Sequence, residues 1–96
     1  MLYQDDPQER RWTFELASIY RKQAELYVGS KELFTAILLY DHGLRLLQTL
    51  IPHRPELAKE AQRIHERMAQ LHQQLGNVKA AEFHREEAKR PFSKSP

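Results

Sequence analysis

Five histidines are the side chains of this sequence best suited to bind a metal or to transfer a proton. His65 and Glu66 begin a His-Glu-x-x-His pattern, which would place two zinc-binding imidazoles on one helical face, but Ala69 occupies the second histidine position. His65 and His72 are seven positions apart, about 10 Å along a helix, which is too far for neighbouring ligands of one ion. We therefore predict no metal site and interpret these histidines as half-buried core or interface residues.

Residues for nucleophilic or phosphate chemistry are also poorly placed. The chain has no cysteine, and neither Ser18 nor Ser30 has a base at a spacing that would activate its hydroxyl. Gly29, Gly43 and Gly76 are isolated, so no glycine-rich loop could surround a phosphate. We expect no catalytic residue and no cofactor, and we predict that the protein is not an enzyme.

Composition limits the chain to one small domain. Its 96 residues are 41% hydrophobic, enough for a single modest core, and without cysteine that core must be stabilised by packing alone.

Fifteen basic and thirteen acidic residues are interspersed and leave a net charge of +2, as on ordinary solvated helices. No basic run alternates with aromatic residues, so we expect no nucleic-acid binding. The sequence contains neither a long apolar run nor a secretory leader, so we expect a cytoplasmic protein without membrane association.

Prolines, glycines and helix-capping residues divide the chain into four predicted helices. Asp6 and Pro7 form a typical helix start, and Gly29 ends that helix. Two prolines between residues 51 and 55 interrupt the chain at its middle, and Gly76 with Asn77 ends the third helix. The predicted helices cover residues 7–29, about 32–51, about 56–75 and 78–89. The predicted domain spans residues 6–90, as hairpins 6–51 and 56–90, between an N-terminal tail 1–5 and a flexible C-terminal tail 91–96.

Two segments of the sequence match when one is shifted by about 45 residues. Bulky and small residues lie three or four positions apart in both, so they share a helical face on either side of a turn. The matched residues are Tyr20, Ala24, Tyr27, Ala36, Tyr40 and Gly43 in the first segment, and His65, Ala69, His72, Ala81, Arg85 and Ala88 in the second. The pattern predicts an all-α fold of two stacked antiparallel helical hairpins, each with a close helix crossing at small residues.

This pattern resembles the tetratricopeptide repeat (TPR) family over roughly residues 17–89. The most similar stretch is Leu75-Gly76-Asn77, followed by Ala80-Ala81 and Ala88. The period of about 45 exceeds the usual ~34 and is closer to the longer helices of kinesin-light-chain-type repeats. A second resemblance is to the microtubule-interacting and transport domain, a three-helix module that binds amphipathic helices. The fourth helix and the second set of small residues favour the TPR-like fold.

The TPR resemblance implies a concave surface lined by the first helix of each hairpin. Transferred to this sequence, the lining consists of Ser18, Arg21, Lys22, Glu25, Arg63, Glu66, Arg67, Gln70 and Gln74. Chaperone-binding members hold a C-terminal carboxylate with asparagines, but Glu25 and Gln70 stand at those positions, so we expect no such clamp. The resemblance implies a noncatalytic adaptor that binds a peptide or helix of another protein. The alternatives are a structural subunit, a helix-binding module of a larger assembly, or a small nucleic-acid-binding protein.

The second predicted helix has more apolar surface than one hairpin partner can cover. Leu39 and Leu46 extend its main stripe to about half of the circumference, and Phe34 and Leu38 lie outside even that arc. We therefore expect a second helix to pack on it, and we predict that Leu39 and Leu46 form a seam for a partner helix or for a homodimer. The density of apolar residues also predicts that the first hairpin is the more stable half.

Overall fold

Four α-helices follow one another along residues 7–90, the part of the chain that the structure, a computed structural model, describes. They are α1 (Pro7–Gly29), α2 (Leu33–Leu50), α3 (Ala58–Gln74) and α4 (Val78–Lys89), and a short 3₁₀ helix, Pro55–Leu57, precedes α3. No strand occurs in this range, so the predicted all-α fold of helical hairpins is confirmed. The predicted Asp6 cap and both tails lie outside the described residues. None of the described helices has the length and apolar content that a membrane span requires.

The turn between α1 and α2 differs in one detail from the prediction. Gly29 is the last residue of α1, as expected, but the left-handed backbone conformation occurs at Lys31, with a φ of 67°. The amide of Glu32 donates to the carbonyl of Tyr27 at 2.9 Å, which closes the turn. The second turn follows the prediction, because Gly76 has a φ of 81° and the amide of Asn77 donates to His72 at 2.8 Å.

Small residues determine how closely α1 and α2 approach each other. Ala17, Ala24 and Ala36 are buried at the crossing. A Cβ atom added at Gly43 would lie 3.3 Å from the carbonyl oxygen of Ala17 and 3.4 Å from the Cβ of Tyr20. This confirms the predicted close crossing in the first hairpin. In the second, Ala69 and Ala81 are buried between α3 and α4.

Helix α2 is the centre of the fold, because it packs against α1 on one side and α3 on the other. Its buried face joins residues of α3 in one core, which includes Tyr40, Leu44, Leu47, Ile64, Met68 and Leu71. The prediction that α2 is covered on more than one side is therefore confirmed. Leu39 and Leu46, the predicted seam, are half-buried and pack against this core. Phe34 and Leu38 remain 68% and 62% exposed.

The large apolar side chains of α1 do not all lie on the face that the fold buries. Trp12, Leu16 and Ile19 are 60%, 43% and 50% exposed, whereas Ala17 and Ala24 are buried. The close crossing with α2 explains the difference, since only small side chains fit between two helices at that separation. Trp12, Leu16 and Ile19 consequently lie on the outer surface of α1, whereas Phe14 packs against the core.

The start of the second hairpin also differs slightly from the prediction. The sequence predicted a continuous third helix from about Glu56, but the chain forms a 3₁₀ turn at Pro55–Leu57 before α3 begins at Ala58. The guanidinium of Arg54 lies 5.1 Å from the ring centroid of Phe14. This contact holds the linker against α1, at the end of the molecule where the two hairpins join.

A polar groove between the hairpins

A groove of about 500 Å³ lies where α1 of the first hairpin faces α3 of the second, with α2 beneath it. Arginine, glutamate and glutamine side chains form its walls, and Tyr40 and Ile64 contribute from the core. The groove is lined by Arg21, Glu25, Tyr40, Glu60, Arg63, Ile64, Glu66, Arg67 and Gln70. We call it the inter-hairpin groove. Because both hairpins line it, the groove depends on how they pack together.

Six of the nine residues predicted from the TPR resemblance line this groove. They are Arg21, Glu25, Arg63, Glu66, Arg67 and Gln70. Ser18 lines an adjoining pocket of about 140 Å³ that shares Arg21, Glu60 and Ile64 with the groove. Lys22 and Gln74 are exposed and line neither cavity. The structure therefore brings most of the predicted surface together and leaves Lys22 and Gln74 outside both cavities.

Three lining residues were not among those predicted. Glu60 is three positions before Arg63 and seven before Arg67, so the helical spacing of the groove residues on α3 could have identified it. Tyr40 and Ile64 lie on the apolar faces of α2 and α3, and both are buried. Nothing in an apolar stripe shows which of its residues will lie beside an opening, because that depends on the packing of the two hairpins.

Ion pairs neutralise one end of the inter-hairpin groove and join its walls. The Nη1 atom of Arg21 lies 2.8 Å from Glu25 on the same helix, and its Nε atom lies 3.0 Å from Glu60 on α3. Arg63 contacts the other carboxylate oxygen of Glu60 at 3.4 Å. Each pair is partly exposed and contributes at most about 1 kcal/mol. Their main effect is to link α1 to α3 and to engage two of the three arginines with carboxylates.

Arg67, the third arginine of the groove, and Tyr40, at its base, have no carboxylate partner among the described residues. Arg67 is exposed and forms no ion pair within residues 7–90. The Tyr40 side chain is buried, and its hydroxyl finds no acceptor among the described residues. Burial raises the pKa of Tyr40, and the positive charge of Arg67, whose guanidinium is within hydrogen-bonding reach of the hydroxyl oxygen, opposes that rise. The hydroxyl therefore keeps its proton at neutral pH and remains a hydrogen-bond donor.

A cluster of three histidines lies in the second hairpin, away from the inter-hairpin groove. The Nδ1 atoms of His65 on α3 and His84 on α4 are 2.9 Å apart, and both side chains are buried. The ring of His72 stacks on that of His84 with centroids 5.5 Å apart. His84 thus lies against both histidines of α3, which the spacing along α3 alone could not show. No set of three or more potential ligands within residues 7–90 has the arrangement of a metal site.

An apolar stripe covers the outer surface of α1. Its large residues are Trp12, Leu16, Ile19 and Leu26, of which Leu26 is 74% exposed. With Gln23 they are spaced alternately four and three positions apart, which is the spacing of a helix that packs along another helix. We call this set the α1 stripe.

Together the fold and the groove define an all-α protein of two helical hairpins with a polar, charge-paired groove between them. Comparison of the sequence and the structure with protein-family models, curated proteins and solved structures found no match. The TPR resemblance therefore stays a prediction that rests on the residues quoted for it.

Proposed function

We propose that the protein is a noncatalytic adaptor whose inter-hairpin groove binds a segment of another protein. The observation that carries this proposal is that residues predicted to form a concave binding surface line one open groove of about 500 Å³ between the hairpins. A volume of this order is within the range of ligand-binding clefts. The walls come from α1 and α3, so a bound segment would contact both hairpins at once.

The charges of the groove favour a polypeptide over a nucleic acid. Its lining contains three arginines and three glutamates, so its formal charge is zero. Nucleic-acid binding requires an excess of cations to replace the counterions of the phosphates. The arginines and glutamates of the lining instead offer both donors and acceptors to a protein segment with polar and charged side chains. Arginine is also enriched in protein interfaces, where its guanidinium forms several hydrogen bonds.

Site-specific photo-crosslinking would test the proposal. A photoreactive residue replaces Gln70, which is exposed and lines the groove, and in a control replaces Gln48, which is exposed on α2 outside the groove. We expect a discrete adduct with one cellular protein from position 70 and none from position 48. Equal labelling from both positions, or an adduct with the same partner from position 48 alone, would exclude the groove as the binding surface.

A second candidate function, a structural subunit that pairs with its own copy, is favoured by the α1 stripe. An antiparallel two-fold pairing centred on Ile19 would place Trp12 of one copy opposite Leu26 of the other. The same pairing would bring Glu15 of each copy close to Lys22 of the other, beside the stripe. The charge complementarity of this arrangement makes a second copy the occupant that we propose for the α1 stripe.

A further inference from the structure

We propose that the Tyr40 hydroxyl and the Arg67 guanidinium form a subsite for one carboxylate side chain, an aspartate or glutamate of the bound segment. The inference rests on the proposed function and specifies which chemistry the groove selects. It depends on two neighbouring donors that the protein leaves without a carboxylate acceptor.

Tyr40 supplies the first donor. Its side chain is 1% exposed, and within residues 7–90 its hydroxyl is the one buried side-chain polar group that finds no acceptor. Buried hydroxyl groups are normally paired, because leaving one unpaired costs the free energy of its lost hydration. Tyr40 lines the inter-hairpin groove, so an acceptor from a ligand in the groove can reach this hydroxyl once the side chains that cover it move.

Arg67 supplies the second donor, and it differs from the other two arginines of the groove. Arg21 contacts Glu25 and Glu60, and Arg63 contacts Glu60, whereas Arg67 has no ion-pair partner among the described residues. The adjacent Glu66 also lines the groove, but it is about 100° away around the helix axis and forms no ion pair with Arg67. Arg67 is close enough to Tyr40 for its charge and its N–H groups to act on the hydroxyl oxygen, and the remaining N–H groups of the guanidinium and the hydroxyl proton are left for a ligand.

A carboxylate matches these two donors better than other groups do. Its two oxygens can accept from the hydroxyl and from the guanidinium at the same time, and a hydrogen bond to a charged group is stronger than a neutral one. A basic side chain would be repelled by Arg67, and an amide would add donors where acceptors are missing. Glu25 would repel a carboxylate if it were unpaired, but Arg21 lies 2.8 Å from it. With three glutamates in the lining, a singly charged anion fits better than a dianionic phosphate.

Selection from a phage-displayed library of random peptides against the full chain would provide the probes. Groove binders are those that block photo-crosslinking at position 70. We expect each of them to contain an aspartate or glutamate whose replacement by the corresponding amide weakens binding by roughly tenfold to a hundredfold. Preferred binding of a phosphoserine version of the same peptides would overturn the carboxylate assignment.

Two variants and a matched control locate the subsite. Tyr40→Phe and Arg67→Gln should each weaken binding of the selected peptides at least about tenfold and should abolish the preference for acid over amide. Arg63→Gln, one turn earlier on α3, removes the same charge from an arginine already paired with Glu60 and should retain that preference. Tyr40→Phe should melt no lower than the parent, because it removes an unpaired buried hydroxyl.

The outcomes separate this inference from the proposed function. If peptides bind the groove but Tyr40→Phe and Arg67→Gln still discriminate acid from amide as the parent does, the subsite is wrong and the adaptor function stands. If no selected peptide blocks crosslinking at position 70, and no cellular protein is captured there, both are wrong.

Discussion

The Nδ1 atoms of His65 and His84 face each other at 2.9 Å across the interface of α3 and α4. This geometry requires one ring to donate its proton and the other to accept it, so the contact exists only while at least one of the two imidazoles is neutral. Burial, together with the nearby His65 and His72, lowers the pKa of His84 to about 4, and burial also lowers that of His65. Asp41 of α2 and Glu87 of α4 oppose these changes without reversing them.

We therefore predict that acidification destabilises the second hairpin. In the unfolded chain a histidine has a pKa near 6.5, so between about pH 6.5 and pH 4 the unfolded state binds a proton that folded His84 does not. The free energy of unfolding should be highest above pH 7 and should fall by up to about 3 kcal/mol as the pH reaches 4. Urea unfolding at intervals of half a pH unit measures this change.

His84→Leu removes the histidine whose pKa is lowered to about 4 and should reduce that pH dependence to the part that His65 contributes. His42→Gln is the control, since the ring of His42 is exposed and stacks on Tyr20 in the first hairpin. It should behave as the parent does. The interpretation is wrong if the parent and His84→Leu lose stability equally between pH 7 and pH 4.5.

Ala36→Leu and Ala81→Leu should destabilise the fold strongly. Both alanines are completely buried, one in each hairpin, where the helices cross closely. Three additional carbon atoms at such a site force the helices apart, and overpacking of this kind costs about 1–3 kcal/mol. Thermal unfolding followed by circular dichroism measures the loss. Lys79→Leu adds an apolar residue at an exposed position of α4 and should melt close to the parent.

Amide hydrogen exchange should be slower in α2 than in α4. Helix α2 packs against both α1 and α3, whereas α4 packs against α3 alone among the described elements. Amide protons of residues 33–47 should consequently exchange only on global unfolding, and those of residues 78–89 through local opening as well. Exchange that is slower in α4 than in α2, measured by nuclear magnetic resonance, would contradict this order.

Self-association through the α1 stripe should be lost when Ile19 is replaced, and this replacement should leave the stability of the fold unchanged. We expect the parent to form dimers at high micromolar concentration in light scattering, and Ile19→Glu to be monomeric with an unchanged melting temperature, since Ile19 is half exposed. Leu39→Glu and Leu46→Glu test the seam predicted from the sequence. Because both leucines pack against the core, these variants should lose stability instead.

A charge exchange tests the antiparallel geometry of the dimer. Glu15→Lys alone should weaken dimerisation, and the double change Glu15→Lys with Lys22→Glu should restore it, because the pairs form between the two copies. A parent that stays monomeric at high micromolar concentration would remove the self-association proposal altogether.

Local rules were sufficient to predict the helices from the sequence. Prolines, capping residues and Gly76 act within a few residues of themselves, and the described helix ends agree with them to within two residues. The small residues Ala24, Ala36 and Ala81 also predicted where helices approach, because only small side chains permit that contact. Six of the nine residues predicted to form the concave surface line the inter-hairpin groove for a similar reason, since helical spacing places them on the same faces of α1 and α3.

Tertiary packing decided the features that involve distant parts of the chain. Apolar residues occur on more than one face of α1, and the close crossing with α2 determined that Ala17 and Ala24 are buried while Trp12 and Leu16 remain outside. Helix α3 packs beside α2, and this packing places Tyr40 at the base of the groove. Neither helix supplies an acceptor for its hydroxyl. His84 meets His65 only when α4 folds back on α3. Each of these contacts depends on how helices pack in three dimensions, which residue spacing within one helix does not determine.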